Sequence, residues 1–155
     1  MTDNSPVEIA VVVDILDHLL AAAESAEPLS DDDAEALYAL AYQALLADKF
    51  EEADSLLEIL QCYRPADPRF LAAYAQSRRG LGHPEQAVGL RSLALVADGG
   101  NPEHLLGMAE DFIAANDRDT ARSVLQVCTE HAGAPERARL RERAQALAGL
   151  LGHAS

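Results

Sequence analysis

The chain has 155 residues, 49% hydrophobic but only 5% aromatic and without tryptophan, and a formal net charge of −14 at pH 7. The charge is uneven, because residues 1–60 hold 15 acids against the single base Lys49, whereas residues 61–155 hold 11 of each. Such an acidic balance excludes nucleic acid and anionic membrane surfaces as partners, and leaves two uses for the N-terminal acids: solubility with helix capping, or attraction of a basic partner segment.

Alanine and leucine dominate the apolar content and β-branched residues are sparse outside 11–13, so the sequence predicts an all-α chain. Residues 1–6 are expected to be disordered. The acidic start lacks the basic opening of a secretory signal, and no apolar run approaches the roughly 18 residues of a membrane span. A cytoplasmic location is expected, and two cysteines, Cys62 and Cys128, fit a reducing compartment. A helix over 7–24 carries Ile9, Val12, Val13, Leu16, Leu19 and Leu20 on one face, and Asp14, Asp17 and His18 on another. That stripe would pack either on the next helices of the chain or on a second copy of it. The segment AEPLSDDD is a linker ending in a helix start, with Ser30 or Asp31 as cap and three carboxylates at the positive end of the dipole. Consecutive acids do not share a helical face, which favours capping over a cation site.

From here the chain repeats. Helices are expected over 33–47 and 50–62, 68–81 and 84–97, and 102–115 and 118–131, with Asp67 and Asn101 as caps before Pro68 and Pro102. Leu37, Leu71 and Leu105 are spaced 34 residues apart, as are Ala53, Ala87 and Ala121, and as are Asp48, Gly82 and Asn116. The alanine position requires a small side chain where two helices cross, and the third set tolerates the left-handed backbone that ends a helix. A 34-residue period of helix–turn–helix units is the mark of tetratricopeptide repeats. The expected division is 1–30 for tail, helix and linker, 31–132 for three repeats (about 34–67, 68–101 and 102–132), and 133–155 for a capping helix over 135–151 with its tail. The capping helix covers the apolar face the last repeat would expose. Its Arg137, Arg139, Arg141 and Arg143 spread around it and form no patch.

No constellation of catalytic residues stands out, so no enzyme and no cofactor are expected. Gly99-Gly100 leads into Asn101-Pro102, not a phosphate loop. The five histidines are scattered, and no metal site is expected. Cys128 and His131 share a helical face, but Cys128 falls at an inward position, where a buried structural thiol is expected. What remains is the concave surface lined by the first helix of each repeat. Groove-facing positions are Glu35, Tyr38, Tyr42, Leu45 and Leu46, then Arg69, Ala72, Gln76 and Arg79, then Glu103, Leu106, Glu110 and Ile113. Tyr38 and Tyr42, four apart, either line this groove as anchors for proline or leucine side chains, or pack inside the superhelix against the N-terminal helix.

Three segments resemble the tetratricopeptide-repeat class II chaperones of type III secretion translocators. They are LYALAYQALLADKFEEADSLLEILQCYRPADPRF, with its Leu-Tyr start and Lys-aromatic turn; DPRFLAAYAQSRRGLGHPEQAV, with an Asp-x-Arg-Phe opening, Arg78 and the Gly82 turn; and NPEHLLGMAEDFIAANDRDTARSVL, with Pro102 and Ala109-Glu110. The likeness covers roughly residues 33–131. It implies a cytoplasmic chaperone that masks hydrophobic translocators before secretion, taking a Pro-x-Leu-x-x-Pro segment in its groove. Carried over by position, Tyr38, Tyr42 and Leu45 form part of that groove, with Phe70, Tyr74, Arg78 and Leu106 beside them. The resemblance also implies a homodimer through the N-terminal helix or first repeat. Leu45, Ala72 and Leu106 stand where relatives have bulkier rings. The alternatives are a scaffold or adaptor for assembling a secretion machine, a carboxylate-clamp adaptor, for which the basic residues of the groove are too few, and a needle-subunit co-chaperone.

Overall fold

The computed structural model describes residues 6–25 and 29–152, leaving aside the side chains of 6–9, 19 and 22–25, and the described residues form helices and turns with no strand. The expectations for residues 1–5, for 26–28 of the linker, for the tail after 152, and for Ile9 and Leu19 on the N-terminal stripe lie outside the described residues. Helix α1 (Pro6–Ser25) precedes three antiparallel pairs, α2 (Asp31–Leu46) with α3 (Phe50–Tyr63), α4 (Pro68–Gly80) with α5 (Pro84–Ala97), and α6 (Glu103–Ala114) with α7 (Arg118–His131); a 3-10 turn (Pro135–Arg137) leads into α8 (Ala138–Gly152).

The helix starts are set by side chains that accept otherwise unpaired backbone N–H groups. Ser30 Oγ accepts from the Asp33 N–H at 3.1 Å and donates to the Asp33 carboxylate at 2.6 Å. Asp31, in the same acidic run, pairs with Arg64, so the run serves capping and one cross-helix ion pair. Asp67 accepts from the Arg69 N–H at 3.0 Å, Asn101 from the Glu103 N–H at 3.2 Å, and Asp117 from the Thr120 N–H at 3.1 Å.

The ends of α2, α4 and α6 are built alike. Asp48, Gly82 and Asn116 have φ of 56°, 84° and 62°. The N–H after each of them closes on a carbonyl five residues back, Lys49 to Ala44 at 2.9 Å, His83 to Arg78 at 2.8 Å and Asp117 to Phe112 at 2.9 Å. This left-handed closure is what makes each turn tight enough for the second helix to fold back. Ala53, Ala87 and Ala121 are each fully buried, as the close helix crossings require, and Leu37, Leu71 and Leu105 are buried beside them.

The buried apolar residues fall into two main clusters. One joins α2, α3 and α4 around Leu37, Leu57, Leu60 and Phe70; the other joins α6, α7 and α8 around Leu106, Leu125, Cys128 and Leu140. In the 34-residue register, Leu57 and Leu125 have Arg91 between them, buried on α5. Its charge is met by Asp111 on α6, fully buried, which Arg91 Nε approaches at 3.3 Å and Arg79 Nη1 at 2.6 Å. Gly107 makes room for this arrangement, because a Cβ there would overlap the Arg91 guanidinium. Helix α8 closes the array with Leu140, Ala144 and Leu151 against the third repeat. At the other end, Ile15 of α1 packs on the first cluster, while Val11, Val13, Leu16 and Leu20 remain exposed.

Candidate functional site

The first helices of the three repeats, α2, α4 and α6, line one concave side, and a groove of about 670 Å³ lies there. The repeat period relates Glu35, Arg69 and Glu103 as one row and Tyr42, Gln76 and Glu110 as another, and of these Arg69, Glu103, Tyr42 and Gln76 line the groove. At the first-repeat end the wall is an aromatic shelf. Tyr38 stacks at an angle on Phe70, with centroids 5.2 Å apart, and meets Tyr42 at 6.1 Å.

Arg69 ties this shelf to the second repeat. Its guanidinium grips Glu35 with two hydrogen bonds, at 2.7 and 3.0 Å, and Asp67 at 2.9 Å, and lies 5.4 Å from the Tyr38 ring centre and 5.3 Å from that of Phe70. A planar fork between two carboxylates and over two rings fixes the angle between α2 and α4 and the tilt of the Tyr38 ring. The hydrogen bonds from Arg69 hold the Glu35 carboxyl below its usual range. Burial works the other way at Asp67, but the bonds from Arg69 outweigh it and this carboxyl is also held low. Burial pushes the Tyr38 hydroxyl up, so it stays a neutral donor.

At the far end the groove turns polar, with Asp98, Asn101, Glu103 and His104. Asp98 accepts from Asn101 Nδ2 and meets His104 Nε2, both at 2.9 Å, and these two partners lower its pKa. The hydroxyls of Tyr38 and Tyr42, the Gln76 amide and the Glu103 carboxylate make no hydrogen bond to other described residues. The groove therefore pairs an apolar shelf with unused donors and acceptors, which is what an extended peptide needs for its side chains and its main chain.

Of the residues singled out from the sequence, Tyr38 and Tyr42 lie together on the groove wall, Tyr42 with 47% of its surface exposed. Leu45, Phe70 and Leu106 do not lie on that wall. They are buried in the two apolar clusters, because the positions on the groove side of α2, α4 and α6 alternate with positions facing the paired helix. Phe70 acts from beneath, as the floor under Tyr38. Tyr74 and Arg78 lie elsewhere: the Tyr74 hydroxyl is taken by Arg78 at 2.5 Å, and Arg78 pairs with Asp54 of α3 at 3.0 Å. Arg69 and Gln76 were legible as groove positions, whereas Asp98, Asn101 and His104 were missed. The signal for these was the Asp98–Pro102 break, whose residues turn towards the groove as they cap α6. The Cys128 thiol donates to the Pro102 carbonyl at 3.4 Å and burial raises its pKa, while the His131 ring meets the Val127 carbonyl at 2.9 Å. Among the described residues no group of acids, histidines and cysteines is placed to hold a metal ion, and no helix is long and apolar enough to cross a membrane.

No family model and no curated protein matches the sequence. Solved structures do match the fold. PcrH of Pseudomonas aeruginosa in complex with the chaperone binding region of PopD is 28% identical, with a TM-score of 0.72 over 80% of this chain and 94% of that one. SycD, a type III secretion translocator chaperone of Yersinia enterocolitica, is 25% identical, with a TM-score of 0.71 over 83% and 96% of the two chains. SycD in complex with a peptide of the translocator YopD is 26% identical, with a TM-score of 0.69 over 80% and 95%. A further SycD structure is described as an alternative dimer. The all-α tetratricopeptide-repeat superhelix expected from the period, and the resemblance to translocator chaperones expected from three segments, both agree with these structures.

Proposed function

We propose that this protein is a cytoplasmic, non-enzymatic chaperone of type III secretion that masks hydrophobic translocator proteins, holding an extended Pro-x-Leu-x-x-Pro segment in the concave groove. The observation that carries this reading is the Tyr38–Tyr42 shelf with unused polar groups beside it, in a fold shared with chaperones solved with translocator segments bound. Apolar side chains of the segment sit on the tyrosine rings, and Gln76 and the tyrosine hydroxyls take its main chain. Covering such a segment prevents the client from aggregating or pairing early. Residues 31–132 form the client-binding unit, with α8 closing it. The exposed Val11, Val13, Leu16 and Leu20 of α1 support self-association into a homodimer through that helix.

The test is a tagged pull-down from the native bacterium with secretion off, followed by titration of a synthetic peptide with the Pro-x-Leu-x-x-Pro core. Two partners with membrane-spanning stretches and that core should be recovered. Tyr42→Ala and Tyr38→Ala should each weaken peptide binding by about 1–2 kcal/mol, roughly 5- to 30-fold. Recovery of folded machinery components alone, with no peptide binding, would replace this reading by that of an assembly scaffold.

A further inference from the structure

We propose that the polar end of the groove selects its client by charge: Asp98 and Glu103 receive a lysine or arginine about five or six residues from the apolar side chain seated on Tyr38 and Tyr42. The inference rests on the peptide-groove reading above and adds the chemistry of a second anchor.

The bases of the groove are already paired, whereas the far acid Glu103 carries a free carboxylate beside Asp98. The groove wall carries two bases, Arg69 and Arg91. Arg69 is held by Glu35 and Asp67, two acids for one base. Arg91 is held by buried Asp111, which Arg79 shares, and Arg79 is met in turn by Glu110 at 3.0 Å. No base on the wall is therefore left for an acidic client residue. Glu103 at the far end is in the opposite position. In the row Glu35, Arg69 and Glu103, the arginine turns back to the first repeat, and the Glu103 carboxylate has no partner among the described residues. Asp98 is met by Asn101 and His104, so Glu103 is the open acid of the two. A concave wall with an unpaired carboxylate at Glu103 concentrates negative potential where a bound segment must pass.

The spacing comes from the fold. The shelf is on α2 and Glu103 is on α6, two helix steps of about 8–10 Å each. An extended segment advances about 3.3 Å per residue, which gives about five or six residues.

The experiment uses the full chain and three synthetic peptides sharing a Pro-x-Leu-x-x-Pro core, with lysine, alanine or glutamate about five or six residues from the leucine on either side. Fluorescence anisotropy at low salt should show the lysine peptide binding about tenfold more tightly than the glutamate peptide, a gap built from about threefold of attraction and threefold of repulsion. High salt should shrink the gap. Glu103→Gln should narrow it, and Asp98→Asn with Glu103→Gln should nearly close it. Glu136→Gln, the same charge change on the remote C-terminal turn, should leave it. Equal binding of all three peptides overturns the inference while the groove reading stands. So does a gap that Glu136→Gln narrows as much, because the preference would then belong to the net charge of the protein. If none of the three binds, the groove reading falls and takes this inference with it.

Discussion

Gly82 shows how much a single backbone angle contributes here. Its φ of 84° lies in the left-handed region, and a Cβ at this position would meet nothing within 4 Å. The effect of adding one is therefore conformational and not steric. Gly82→Ala should lower stability by about 1–2 kcal/mol in urea unfolding. Gly82→Asn should lower it by less than half as much, since Asp48 and Asn116 hold the same conformation at the equivalent positions. Equal losses for the two variants would show that the register does not reflect backbone conformation. Gly80 is glycine for a different reason, because a Cβ there would overlap the Phe50 ring that closes the first repeat against α4.

Among the helices, the seam between α5 and α6 is where the repeat pattern is broken. Arg91 occupies the position of a core leucine, and only Asp111 makes its burial tolerable. Burial pushes the Asp111 carboxyl up, and the Arg91 and Arg79 guanidiniums oppose that shift. Asp111→Asn leaves Arg91 buried without a counter-charge, and should lower stability by about 3 kcal/mol, the lower end for a broken buried pair because Arg79 keeps Glu110. Arg91→Leu combined with Asp111→Asn restores the leucine of the register and should return stability to within about 1 kcal/mol of the natural chain. A double variant as unstable as Asp111→Asn alone would show that the charge is not what matters. The period of 34 made the helices, their left-handed ends and the buried alanines legible, because each arises from local backbone and packing demands repeated three times. The same period also contained the anomaly at Arg91, although nothing in the sequence names its partner, which is 20 residues away and on another helix. The groove was legible in part for the same reason. Tyr38 and Tyr42 share a face by helical spacing, but the burial of Leu45, Phe70 and Leu106 depends on the angle at which each pair of helices packs, and that angle is set by contacts such as Arg69 with Glu35 that bridge repeats.

The whole molecule is then two apolar cores with a polar seam between them. The core of α2–α4 and the core of α6–α8 share no residue, and the second repeat links them through buried Leu71, Ala75, Ala87 and Ala94, through Leu95, which packs on the second core, and through the Arg79–Asp111–Arg91 network. Stacked repeats contact only their neighbours, so stability is a sum of local terms coupled at each interface, and a weak interface uncouples what lies on either side. Native-state hydrogen exchange in increasing urea should therefore resolve two openings, one carried by amides of α2–α4 and one by those of α6–α8, with α1 exchanging first because most of its described apolar side chains face water. Asp111→Asn should widen the separation between the two openings by weakening the seam. If the amides of both cores exchange with one common free energy that rises and falls together in the variant, the seam couples the cores fully. That would also bear on function: a groove whose floor spans both cores opens as a unit when they are coupled, whereas an uncoupled seam lets the third-repeat end, with Asp98 and Glu103, move relative to the tyrosine shelf.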